Sequence, residues 1–150
     1  MDLFKIFSIS GSGMAAQRSR MTVVAGNLAN TETSRTPDGG PYKRRDVIFR
    51  SVPSAGDFSD QLADLADGIE DVQGVEVVGV KQSSRPPRLL FDPNHPDANG
   101  DGYVALPDIN PMEEMVDMMS AVRSYEANLS VYNTTKSLIR RILDMARNSQ

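Results

Sequence analysis

Apolar residues recur with a helical period at both ends of the chain and give way between them to short β-like runs. From Phe4 to about Asn30, the residues Leu3, Phe7, Met14, Met21, Val24 and Leu28 fall on one stripe, with Ser10 and Gln17 as weaker members, which predicts one long helix. Gly11 and Gly13 lie inside it. Each costs a helix up to about 1 kcal/mol relative to Ala, so this helix needs a partner there, and the missing side chains let another backbone come close. Thr31, Thr33, Ser34 and Thr36 follow, and Pro37 pushes its predecessor out of helical geometry, so the helix ends near Asn30.

Asp38-Gly39-Gly40-Pro41 reads as a turn, and Tyr42 to Phe49 as the start of a strand. Between Pro53 and Asn110 glycine and proline become frequent. Strand-like runs appear at Val75–Val80, Arg88–Phe91 and Gly102–Leu106, which predicts a small β-rich middle. Phe58, Leu62, Leu65 and Ile69 are spaced for one short amphipathic helix within it.

The strongest signal runs from Pro111 to about Asn148. Met115, Val122, Leu129, Lys136 and Leu143 occupy one heptad position, and Met118, Tyr125, Tyr132, Ile139 and Ala146 the complementary one. At 1.5 Å per residue such a helix is ~50 Å long, more than a small domain needs to cover its own core. Pro111 suits its first turn. Glu113, Glu114 and Asp117 favour the positive end of the helix dipole, and Arg140, Arg141 and Arg147 the negative end. The fold class is therefore α+β: two terminal helices forming a coiled-coil-like arm around a small middle. The expected division is 1–36, 37–110 with an acidic insertion near 53–74, and 111–150. A helix pair this long, with little around it, cannot bury all its apolar surface alone, and neighbouring copies would bury the rest.

Charge narrows the partners. The chain of 150 residues carries a net charge of −4, and no basic stripe of the kind that phosphate contacts require, which argues against nucleic acid. Its acidity is local, with Asp57, Asp60, Asp64, Asp67, Glu70, Asp71 and Glu76 and no Lys or Arg between Ser51 and Val80. The absence of cysteine excludes disulfides, thiolate metal sites and cysteine nucleophiles. The first residues, Met1 to Phe7, mix acid and base with apolar groups and form neither a secretory signal nor a membrane span.

Chemistry-bearing motifs are weak. Asp97-Ala98-Asn99-Gly100-Asp101-Gly102 matches the opening of a calcium loop, but its twelfth place is Asp108 rather than Glu, and Pro86, Pro87, Pro93 and Pro96 deny it the incoming helix of an EF-hand. A polar turn is the better reading, with a calcium-dependent module on 97–108 as the alternative. His95, the single histidine, lies in Asp92-Pro93-Asn94-His95-Pro96, which is turn chemistry without a nucleophile elbow or metal-binding helix. Gly11-Ser12-Gly13 does not follow a strand and lacks the Gly-Lys-Ser/Thr of a phosphate loop. Asn128 and Asn133 match glycosylation acceptors only in form, since both lie on the heptad helix. No catalytic, cofactor-binding or metal-binding residue is assigned, and no small-molecule substrate is expected. A soluble helical adaptor is the remaining alternative.

Gly11-Ser12-Gly13-Met14 with Arg18 to Met21, followed by Asn27-Leu28-Ala29-Asn30-Thr31, resembles the N-terminal signature of bacterial flagellar axial rod and hook proteins. Gly39-Gly40-Pro41-Tyr42, Asp92 to Ala98, Gly102-Tyr103-Val104 and Glu114 to Met118 extend the resemblance, toward the proximal rod, over nearly the whole chain; Val52 to Gly74 carries no family pattern. The resemblance implies a non-enzymatic subunit of the basal-body rod. Its terminal helices would build a helical tube that transmits torque and encloses the export channel. It implies other rod subunits, further copies of the chain and the type III export apparatus as partners. It also implies a periplasmic location reached without a cleaved signal, and no cofactor. The assembly residues it points to are Met14, Met21, Asn27, Leu28, Asn30 and Thr31 on the first arm. On the second they are Met115, Val122, Tyr125, Leu129 and Tyr132. Leu3, Phe4, Ile6 and Phe7 would form a short apolar element read by the export gate.

Overall fold

The computed structural model describes residues 3–53 and 73–148. The expected short helix over Phe58–Ile69 and most of the acidic segment lie outside the described residues. In chain order the elements are helix α1 (Leu3–Ala29), strands β1 (Arg45–Pro53), β2 (Gln73–Gln82), β3 (Arg88–Phe91) and β4 (Tyr103–Leu106), and helix α2 (Pro111–Asn148). This is the expected α+β arrangement of two terminal helices flanking a strand-rich middle.

Local chemistry explains the element ends. Past α1, the Asn30 side chain donates to the Gly26 carbonyl and the Thr31 hydroxyl to that of Leu28, so the last carbonyls are satisfied without another turn. The loop then tightens at Thr36 to Gly40, where Gly39 and Gly40 take φ values of 85° and 76° that side chains with a Cβ resist. The strand expected from Tyr42 begins only at Arg45. Before it, the Tyr42 hydroxyl is turned to a helix side chain and the Arg44 carbonyl accepts the amide of Ser83. At the start of α2, Asn110 acts as the cap: its Oδ1 accepts the Met112 amide at 3.1 Å and its Nδ2 reaches Glu113.

Among the described residues the strands form two separate two-stranded sheets, β1 with β2 and β3 with β4. The second is an antiparallel hairpin that pairs Arg88 with Leu106, Leu90 with Val104 and Phe91 with Tyr103. Among the described residues, no helix is long and apolar enough to cross a membrane.

The chain forms two compact units, and both helices contribute to each. The first unit gathers Met1–Arg18, Phe49–Val78 and Val122–Gln150. In it the Phe7 ring lies 3.9 Å from that of Tyr132, and the absent Cβ of Gly13 leaves a space whose nearest atom is the Asn128 amide, 3.0 Å away. What approaches Gly13 is thus the Asn128 side chain rather than another backbone, while among the described residues Gly11 has nothing within 4 Å of its Cβ position. Ser12 bonds back to the Ile9 carbonyl and accepts the Val75 amide, tying β2 to the helix.

The second unit gathers Ser19–Ile48 and Gly79–Ala121. Most of the buried apolar residues are here: Val24, Val104, Leu106, Ile109 and Ala121, with Pro107 also enclosed. This core is small for the length of helix that borders it.

The face that α2 turns inward is not the one apolar periodicity selects. Met118, Tyr125, Tyr132 and Ile139 are half-buried, as their heptad position predicts, while Ala146 at the same position is exposed. The second inward position, however, holds Glu114, Ala121, Asn128 and Thr135, none of them exposed. Met115, Val122, Leu129 and Leu143 lie one step further round and are exposed by 43%, 37%, 38% and 58%. The physical reason is size and hydrogen bonding. Short side chains and a bonded carboxylate let α1 come close, whereas large apolar residues at the same places would hold it off.

These contacts predict opposite outcomes at the two glycines. Gly11→Ala should raise the free energy of urea unfolding by about 1 kcal/mol through helix propensity alone. Gly13→Ala should return less, because Asn128 must move, and Gly13→Ala combined with Asn128→Ala should recover the difference.

Candidate assembly surface

A buried polar cluster in the second unit is centred on Asn27. Its side chain is 0% exposed and fully bonded. Nδ2 donates to the Arg45 carbonyl at 2.8 Å and to Glu114 Oε2 at 2.9 Å, while Oδ1 accepts the Arg45 amide at 2.9 Å and the Tyr42 hydroxyl at 3.2 Å. Glu114 is itself 1% exposed, and its second oxygen accepts Arg44 Nε at 2.6 Å. Arg44 also faces Asp46 and Asp117, and Arg20 closes the edge on Asp117 at 3.2 Å. Burial works against the Arg44 charge, but the Glu114 hydrogen bond and the charges of Glu114, Asp46 and Asp117 outweigh it and raise its pKa. A buried carboxylate is tolerated here because each of its two oxygens has a donor, one of them charged. The cluster is a brace. It offers no open position for a substrate.

The 97–108 loop has the geometry of a polar turn. Asn99 Oδ1 accepts the amides of Asp101 and Tyr103, the Asp97 carboxylate accepts the Ser34 hydroxyl at 2.7 Å, and Asp108 pairs with Arg85. Gly102 sits at φ 80° and completes the bend. His95 Nδ1 accepts the Asp97 amide, which fixes the turn rather than presenting a base. Among the described residues, no three potential ligands cluster for a metal. Two open clefts of ≈ 270 and ≈ 530 Å³ border the 39–43 loop, and neither is lined by a histidine or by a pair of carboxylates.

Large apolar side chains, by contrast, face outward. In the second unit the start of α2 presents Met112, Met115, Val116 and Met119, and the hairpin presents Leu89, Leu90 and Phe91, all exposed. In the first unit, helical spacing puts Val131, Leu138, Ile142 and Met145 on one outer stripe of α2, and Leu129, Lys136, Arg140 and Leu143 on another. The first of these stripes is apolar throughout, whereas Lys136 and Arg140 interrupt the second.

The residues singled out from the sequence divide accordingly. Met115, Val122 and Leu129 are exposed on α2, whereas Tyr125 and Tyr132 are half-buried on its inner side. On α1, Met14, Met21 and Leu28 are half-buried and Asn27 is enclosed, and Asn30 and Thr31, just past its end, are half-buried. Phe4 is 72% exposed, while Leu3, Ile6 and Phe7 are half-buried.

Residues 101–145 match the family model described as the flagellar basal body rod FlgEFG protein C-terminal region. Over nearly its full length the chain is similar to flagellar basal-body rod proteins FlgC. With that of Borreliella burgdorferi it shares 44% identity, covering 95% of this chain and 97% of the relative. The corresponding values are 40%, 98% and 100% for Salmonella typhimurium, and 38%, 98% and 100% for Bacillus subtilis. The chain belongs to the FlgC family.

Membership makes this FlgC-family chain a structural component of the flagellar basal-body rod. The brace around Asn27 was invisible as such in the sequence. Asn27 stood out only within the phrase Asn27-Leu28-Ala29-Asn30-Thr31, and its partners lie as far away as Glu114. Glu114 read only as a dipole-favoured residue of the first turn, so nothing in the apolar pattern marked it as buried.

Exchange of charge within the brace should reveal the pairing. Asn27→Asp removes two donated hydrogen bonds and sets a second carboxylate against Glu114, so urea unfolding should lose about 3 kcal/mol or more. Adding Glu114→Gln restores a donor to that contact and should recover a substantial part of the loss.

Proposed function

We propose that this chain builds the rod through the outward faces of its terminal helices, as a non-catalytic subunit that meets other rod subunits and further copies of itself. The observation that carries the reading is the phase of α2. The helix closes on its own chain with Glu114, Ala121, Asn128 and Thr135, and leaves Met115, Val122 and Leu129 exposed. A monomer has no use for that arrangement, because exposing apolar stripes costs solubility and returns nothing. A subunit that meets neighbours on several sides gains an internally braced shape and free contact faces. If the faces that meet differ from each other, the contact is heterologous and propagates instead of closing, which is the requirement for a tube.

In this reading 1–36 and 111–150 act as assembly arms and 37–110 as the part carried outside the tube. Met115, Val122 and Leu129 make the contacts between subunits. Tyr125 and Tyr132 hold the arm together from within, Tyr132 by its ring contact with Phe7. Asn27 acts indirectly, by bracing α1 against the start of α2. The tube transmits torque and surrounds the export channel in the periplasm, and the chain reaches it through the type III export apparatus without a cleaved signal. Exposed Phe4 is the residue best suited to contact the export gate.

Val122→Asp and Leu129→Asp should leave unfolding of the isolated chain within about 0.5 kcal/mol of the parent, as surface substitutions do, yet abolish its incorporation into rods and with it swimming. Ala121→Asp, at a position 0% exposed, should unfold the chain instead. Variants Val122→Asp and Leu129→Asp that still assemble and swim would remove the outward face from the interface. For export, Phe4→Ala should reduce the amount of chain secreted more than it reduces stability, whereas Phe7→Ala should destabilise the fold. Normal secretion of the Phe4→Ala chain would discard the gate contact.

A further inference from the structure

Methionine is concentrated at one place. The chain has 8 methionines, and Met112, Met115, Met118 and Met119 fall within the first turns of α2. Helical spacing divides them: Met118 turns inward and is half-buried, while Met112, Met115 and Met119 share the outer face at 66%, 43% and 55% exposure. The neighbouring outer residue Val116 is 57% exposed, so the sulfurs sit on an apolar patch in the second unit. Met14 and Met21 are half-buried on α1.

We propose that Met112, Met115 and Met119 form a modification site, at which peroxide converts exposed thioethers to sulfoxides and switches the face from assembling to non-assembling. The consequence for assembly rests on the proposed function; the order of modification rests on exposure alone. In the reaction a sulfur lone pair attacks one peroxide oxygen, the O–O bond breaks, an S–O bond forms, and the other oxygen leaves as water after taking up a proton. Sulfur is oxidised by two electrons and peroxide is reduced by two. A thiol-dependent sulfoxide reductase reverses the change, as two thiols become a disulfide and the sulfoxide oxygen leaves as water. The modified side chain is no longer a flexible apolar filler. It carries a strong hydrogen-bond acceptor that an apolar interface leaves unpaired. Because the three residues are accessible only before a neighbour covers them, the free subunit is sensitive and the assembled one is protected.

The test treats the full-length chain with limiting hydrogen peroxide, maps sulfoxides by peptide mass spectrometry, and measures co-sedimentation with rod subunits. Met145, exposed in the first unit, is replaced by Leu in every sample to remove its contribution. Met112, Met115 and Met119 should be oxidised ahead of Met14, Met21 and Met118, and incorporation of the treated chain should fall at least tenfold. In a Met112→Leu, Met115→Leu, Met119→Leu variant, which has no thioether on this face, peroxide treatment should leave assembly at the level of the same variant untreated. Oxidation of Met118 or Met14 as fast as the outer three overturns the proposal. So does unchanged assembly of the treated chain, or equal loss in the leucine variant. The Val122→Asp experiment judges the assembly reading separately, since it involves no oxidation.

Discussion

A carboxamide buried beyond the reach of water must find partners for two donors and two lone pairs, and Asn27 finds all of them within one unit. Meeting that demand brings the first residue of β1, the Tyr42 hydroxyl and the first turn of α2 to a single point. Glu114 is drawn in as acceptor, and it in turn requires Arg44, whose charge is held by Asp46 and Asp117. Once Glu114 faces inward, so does Ala121, one heptad on. The rotation of α2 about its own axis in this unit is therefore set by a polar contact rather than by its apolar residues.

That rotation has a consequence for the use of hydrophobic surface. Burial of large side chains ordinarily stabilises a fold by about 1.5–3 kcal/mol each, and here Met112, Met115, Val116 and Met119 forgo it in the free chain. The first unit repeats the pattern with a different device. Gly13 and Asn128 permit close approach there, Phe7 and Tyr132 supply the ring contact, and Leu138, Ile142 and Met145 remain outside. A subunit built this way holds its shape by hydrogen bonds and small residues, and in the proposed function its apolar area serves neighbours.

Much of this was legible in the residue pattern. The limits of both helices, the strand runs at Val75–Val80, Arg88–Phe91 and Gly102–Leu106, and the turn at Asp38 to Pro41 all follow from periodicity and from the conformational preferences of Gly and Pro. Half of the α2 seam, at Met118, Tyr125, Tyr132 and Ile139, was legible as well. The other half was not, because a search for apolar residues passes over Glu, Ala, Asn and Thr and selects the larger Met115, Val122 and Leu129 beside them. Asn110 as a helix cap was obscured by its place in a loop. The strand start at Arg45 depends on Asn27, a partner that no local window contains. Contacts between residues distant in sequence, made through polar atoms, are what the pattern cannot report.

The absence of cysteine makes single thiols a clean probe of the central claim, that the outward face of α2 is an interface and the inward face is not. Cysteine placed singly at 115, 122 or 129 should react quickly with a maleimide in the isolated chain, and cysteine at 118 or 121 slowly. In assembled rods the first three should become protected and the last two should remain slow. Thiols at 115, 122 and 129 that react as fast in the rod as in the free chain would contradict the account.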